Sequence, residues 1–92
     1  MTVGVPKESA PGERRVAMVP DVVRRLAGKG VEVVVQAGAG EGALIPDALF
    51  EEAGARVTDD ETAVWGADVV VTIAPPDPAD VERLPTGAVL VS

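Results

Sequence analysis

M-T-V-G-V-P-K-E-S-A-P-G-E-R-R-V-A-M-V-P, residues 1–20, opens the chain. Thr2, Val3, Gly4 and Val5 form a short, mostly apolar run stopped by Pro6, which lacks the N–H a strand ladder needs, so the run reads as a brief buried strand. A long loop follows, carrying Lys7, Arg14 and Arg15, before Pro20 and Asp21 open a helix. In open α/β sheets the loop leaving the carboxyl end of a strand is where a ligand sits. Arg15 is therefore the first candidate, since a guanidinium there can hold a carboxylate or phosphate with two parallel hydrogen bonds. An ion pair with Glu8 or Glu13 is the plainer alternative, and Lys7 is a weaker candidate of the same kind.

Outward from this stretch the chain alternates. Val22, Val23, Leu26 and Ala27 lie on one face of the first helix, with Asp21 early and Arg24, Arg25 and Lys29 late, as the helix dipole favours. Gly28 and Gly30 supply the stop, although Val19 is a poor N-cap. Residues 31–35, V-E-V-V-V, form a strand covered on both faces. A glycine loop over 38–42 leads to a short helix over 46–53 with Ala48, Leu49 and Ala53 inward, then a strand at 55–57. Thr58 to Glu61 fits a capping box for a helix reaching Trp65. Residues 68–73 form another buried strand ended by Pro75 and Pro76. Asp77 caps a helix that runs from Pro78 to about Leu84, and residues 88–91 form the last strand.

This alternation predicts five parallel strands joined by right-handed crossovers, hence a flavodoxin-like, doubly wound, three-layer α/β/α domain with strand order 2-1-3-4-5. The 92 residues suffice for one domain. Because the chain stops at Ser92, directly after the last strand and without a covering helix, it reads as a piece of something longer.

Composition excludes several functions. A net charge of −7 with eight basic residues argues against nucleic acid, which is bound by clustered Lys and Arg. With neither His nor Cys there is no disulfide framework, no usual zinc site and no imidazole for proton transfer at neutral pH. No apolar run approaches the ~20 residues of a membrane span, and no signal peptide is evident, so a cytoplasmic chain is expected. The acidic groups at 59–61 and at 77, 80 and 82 coincide with helix starts, which accounts for them better than a metal does.

Gly38-x-Gly40-x-x-Ala43 imitates a dinucleotide fingerprint, but Pro46 delays the helix that should open within the glycines. A tight turn is the stronger reading of Gly38 and Gly40. The end of the strand at Ile73 and Ala74 also faces any ligand crevice, though Ala74 offers no chemistry of its own.

Taken together, G-V-P-K-E…P-G-E-R-R-V-A…P over 4–20, Q-A-G-A-G-E-G-A over 36–43, E-A-G-A over 52–55, V-W-G-A-D-V-V-V over 64–71 and G-A-V-L-V-S over 87–92 resemble the N-terminus of the family of alanine dehydrogenases and nicotinamide nucleotide transhydrogenase α subunits. The resemblance covers the whole chain. It implies that residues 1–92 are the opening portion of an N-terminal domain, with the NAD-binding lobe elsewhere and no cofactor bound by this segment. In alanine dehydrogenases an arginine in the R-V-A segment contacts the pyruvate carboxylate, which maps to Arg15, and a lysine in a K-V-K-E-P segment holds substrate. Here that position is Ala74, and a methyl group cannot replace the charge-assisted bond of an amine.

Transhydrogenases bind no amino acid and do not need that lysine, and A-P-G-E-R-R-V-A also looks more like their branch. The resemblance thus implies the α subunit of a proton-translocating NAD(P) transhydrogenase, passing hydride from NADH to NADP. It further implies NADP(H) in a partner β subunit, an α-subunit homodimer, and a position peripheral to the cytoplasmic membrane. No catalytic residue is then expected in this chain. NAD-dependent alanine dehydrogenase is the alternative. A free-standing flavodoxin-like binding module ranks third, for want of an acidic phosphoacceptor cluster or a pair of aromatics to sandwich a flavin.

Overall fold

A computed structural model describes residues 1–8, 12–74 and 78–91. Five parallel strands, β1 (Thr2–Val5), β2 (Glu32–Gln36), β3 (Arg56–Thr58), β4 (Val69–Val71) and β5 (Val89–Val91), alternate with four helices, α1 (Pro20–Gly28), α2 (Asp47–Glu52), α3 (Glu61–Trp65) and α4 (Pro78–Val81). The doubly wound parallel α/β sheet is as the alternation predicts. Its strand order is not: the sheet runs β3-β2-β1-β4-β5 rather than 2-1-3-4-5.

The cause lies in which face α2 can cover. Phe50 of α2 is fully buried in the same apolar cluster as Val23 of α1 and as Val3, Val5, Val33 and Val35 of the sheet. Burying an aromatic of that size stabilises by about 2–3 kcal/mol, so α2 is held on the face that α1 already covers. A right-handed crossover on that face then carries β3 outward beyond β2 rather than back across β1. Gly54 lets the two helices meet, since a Cβ there would lie 3.0 Å from the Ala27 methyl.

The opposite face belongs to α3. Gly4, Val34 and Val70 stand side by side in register, and a Cβ on Gly4 would collide with the carbonyl oxygen of Val64. The missing side chain lets α3 lie directly on the central strand and deliver the chain back across the sheet to β4. Trp65, Ala67 and Val70 form the second buried cluster, with Leu84 and Leu90 against it.

Local expectations differ in places. On α1, Val23 is buried while Val22 is 39% exposed; on α2 Phe50 points inward, with Ala53 buried just past its end, whereas Leu49 is 42% exposed and Ala48 is exposed too. Six residues make too few turns for the apolar period to fix the phase of α2, and the aromatic decides it. α1 starts at Pro20 with no side-chain cap, its first amides at Val22 and Val23 bonding the Val19 carbonyl. α3 is capped by Asp60, whose carboxylate accepts the Thr62 N–H at 3.0 Å; Thr58 instead accepts the Asp60 N–H, so there is no capping box. β4 stops at Val71 and α4 at Val81, both shorter than expected. Pro75, Pro76 and Asp77, assigned above to the strand end and the helix cap, lie outside the described residues.

Candidate functional site

The strand order fixes the switch point. The chain leaves β1 toward β2 over one face and leaves β4 toward β5 over the other, so the crevice falls between the carboxyl ends of β1 and β4. The chain leaving β1 at Lys7 and Glu8 therefore stands directly beside the segment carrying Ile73 and Ala74. With the order 2-1-3-4-5, a strand would have separated them.

Arg15 stands on the side of the glycine loop, where it lines a shallow cleft with Gly38 and Gly42, and its side chain is 73% exposed. Its Nη2 and Nε donate to the two carboxylate oxygens of Glu13 at 2.7 and 3.0 Å, and the Arg15 amide donates to the same group. Held by this fork, the Glu13 carboxyl titrates at about 2, and Arg15 is pushed above the usual arginine range, chiefly by the same hydrogen bond. Of the two acids within reach in the sequence, Arg15 thus pairs with Glu13. Glu8 goes elsewhere: Oε2 accepts the Ile73 N–H at 3.0 Å and Oε1 the Ala74 N–H at 3.1 Å.

Lys7 and Glu8 form a ridge that parts two shallow clefts. One, of about 170 Å³, is walled by the Arg14–Arg15 loop and the glycine loop; the other, of about 260 Å³, is bounded by Gln36, Glu61, Trp65 and Asp80. The Lys7 amide donates to Gln36 Oε1 at 2.7 Å, and Gln36 Nε2 reaches Glu61 Oε1 at 3.4 Å. Arg83 bonds the other oxygen of Glu61 and draws its carboxyl below the ordinary range. Sequence reasoning misses this polar chain along the sheet edge; the one available signal is Gln36, a polar residue ending an otherwise valine-rich strand.

The glycine loop is built for close packing. Gly38 has φ +81 and donates its N–H to Asp47 Oδ1 at 2.9 Å. A Cβ on Gly40 would lie 2.7 Å from Phe50 and from the Ile45 carbonyl, and one on Gly42 3.0 Å from the Arg14 backbone. Residues 41–43 add a single 3-10 turn, not the helix that a pyrophosphate cradle requires. Among the described residues there is no group of acidic side chains placed to hold a metal ion, and no helix long and apolar enough to cross a membrane.

A five-stranded, doubly wound parallel sheet with an arginine-bearing loop at its switch point defines an α/β domain of the dehydrogenase type. Residues 4–92 match the family model for the N-terminal domain of alanine dehydrogenase/PNT, and the chain belongs to that family. It is 44% identical over 91 residues to an alanine dehydrogenase of Halomonas elongata, covering 98% of this chain. Over 97 residues it is 42% identical to the first of the polypeptides that make up the NAD(P) transhydrogenase subunit alpha of Rhodospirillum rubrum, covering 99%. It spans about a quarter of either relative, 24% and 25%. Among solved structures it superposes on a transhydrogenase from Sinorhizobium meliloti with a TM-score of 0.91 at 40% identity, covering 98% of this chain and 27% of that one. An L-alanine dehydrogenase gives 0.92 at 34% identity, covering 98% and 25%. Both branches of the family are oxidoreductases by name.

Proposed function

We propose that this chain is the N-terminal segment of an NAD(P) transhydrogenase α subunit, acting in a complex that passes hydride from NADH to NADP and couples that transfer to proton movement. The observation that carries the reading is Ala74. It lies three residues beyond β4 with its amide held by Glu8, where the resemblance to alanine dehydrogenases implies a substrate-binding lysine. A methyl group there cannot hold a keto acid. Alanine dehydrogenase is the second reading, favoured by the exposed guanidinium of Arg15 and by relatives of that name.

The residues of this chain do not fit a dinucleotide at the glycine loop. The Gly38 amide is taken by Asp47, while Gly40 and Gly42 are packed against Phe50 and Arg14. In this reading NAD(H) is held by a further lobe and NADP(H) by a β subunit. The present domain supplies a rigid wall, and its work is positioning. Arg15, Lys7 and Ala74 then line the edge of that cleft without touching the reacting atoms. An α-subunit homodimer beside the cytoplasmic membrane belongs to the same proposal.

The test is an assay of the intact polypeptide with its β subunit for hydride exchange between NADH and an NADP analogue, run beside NADH oxidation by pyruvate with ammonium. Transfer to the NADP analogue without pyruvate turnover is expected. Pyruvate-dependent oxidation would assign the chain to alanine dehydrogenase instead.

A further inference from the structure

The segments that follow β1 and β4 share no strand pairing. The ladder between β1 and β4 joins Val3 with Val69 and Gly4 with Val70, and extends no further. Beyond it, partly buried Ile73 and Ala74 present successive N–H groups, and Glu8 takes both. Successive amides converging on one anion make a nest, and a carboxylate spanning them with both oxygens fixes distance as well as direction. On the other side, the Lys7 amide is held by Gln36 of β2. Residues 7 and 8 thus tie the chain leaving β1 to both neighbouring strands. Glu8 also stands close enough to Arg15 to contribute to the rise in that residue's pKa.

We propose that Glu8 is a positioning residue: its carboxylate, spanning the Ile73 and Ala74 amides, locks the chain leaving β1 to the segment that follows β4 and so fixes the spacing between the two strand ends. It touches no reacting atom. A glutamine at position 8 offers one carbonyl oxygen and turns its NH2 against the second amide, whereas alanine offers nothing. The graded series Glu, Gln, Ala therefore reads out the clamp directly. The kinetic half of this inference rests on the transhydrogenase reading; the exchange half does not.

The experiment measures hydrogen–deuterium exchange and steady-state kinetics of the intact polypeptide, with its β subunit, as wild type, Glu8→Gln and Glu8→Ala. In Glu8→Ala, exchange over residues 69–74 is expected to rise while that of α1 stays as in wild type. Well below the melting temperature, kcat is expected to fall by about tenfold to a hundredfold, as misplacement of a supporting wall does, with KM changing less. Glu8→Gln should fall between. Unchanged exchange at 69–74, or a lowered melting temperature with unaltered kcat and KM, overturns the proposal and leaves Glu8 a mere staple. Should Glu8→Ala fail to fold, the other two proteins decide: rapid exchange of the Ile73 and Ala74 amides in wild type, or wild-type behaviour of Glu8→Gln, overturns it. If wild type turns over pyruvate instead, the transhydrogenase reading has failed, and the Glu8 series is scored on kcat for that reaction.

Discussion

Gly4 and Val64 meet backbone to backbone: the α-carbon of the central strand lies under the carbonyl of a helix residue sixty positions later, with no space for a methyl group between them. That closeness lets α3 recross the sheet. Gly4→Ala must push α3 outward or bend β1, and overpacking of this kind costs about 1–3 kcal/mol. Chemical denaturation of the two proteins checks it; equal midpoints would mean that α3 is not seated as described.

Phe50 anchors α2 to the face that α1 covers, and removing it should leave a cavity beneath both helices. Phe50→Ala is expected to cost about 3–5 kcal/mol, whereas Leu49→Ala, at a 42% exposed position, should change stability by no more than about 0.5 kcal/mol. Comparing the two unfolding free energies tests the phase of the helix. A reversed ranking would place Leu49 inside.

The Glu13 and Arg15 pair carries a pH signature. The Glu13 carboxyl has its folded value near 2, below its ordinary 4.5. A group whose folded value is depressed contributes stability that is complete above the ordinary value and is lost as pH falls through the folded one. The contribution should therefore fade between pH 4.5 and about 2. Salt should weaken it, because the Arg15 side chain is largely in water. A carboxyl-directed NMR titration of Glu13 is expected to show a midpoint near 2, moving up in Arg15→Gln. An ordinary midpoint in wild type would show that the fork does not persist in solution.

Asp60 caps α3 with its side chain. Asp60→Ala removes the acceptor for the Thr62 amide and should cost about 1 kcal/mol, while Asp60→Asn should retain most of the cap. Thermal unfolding of both variants separates capping from a general charge effect, since Asn keeps the oxygen and loses the charge.

The layered fold can be read from the chain because valine-rich runs, prolines and helix-start residues recur in alternation, and each is a local signal. Strand order cannot. It depends on Phe50 choosing a face and on Gly4 admitting α3, two relationships between residues far apart in sequence, and periodicity is blind to both. The site is legible to a similar degree. Position alone puts Arg15, Lys7 and Ala74 at strand ends, and Glu13 is one of two acids near enough in sequence to pair with Arg15. Glu8 looks like another acid for the same arginine, because nothing in its neighbours points to amides 65 and 66 residues away. Pro46 delays the helix past the glycine loop, as the sequence suggests, but the packing that uses those glycines involves Phe50 and Arg14, which no motif encodes.

The pairing of β1 with β4 has a mechanical corollary. In the ladder itself two pairs, Val3 with Val69 and Gly4 with Val70, join the two halves of the sheet, helped by side-chain ties from the Thr2 amide to Asp68 and from Glu8 to the Ile73 and Ala74 amides, whereas β1 and β2 are matched along the whole strand from Thr2 to Val5. Fabric tears along its sparsest stitching: once the Glu8 clamp is removed, shear applied across the domain should part this seam first, separating β4 and β5 from the other three strands while each panel keeps its own weave.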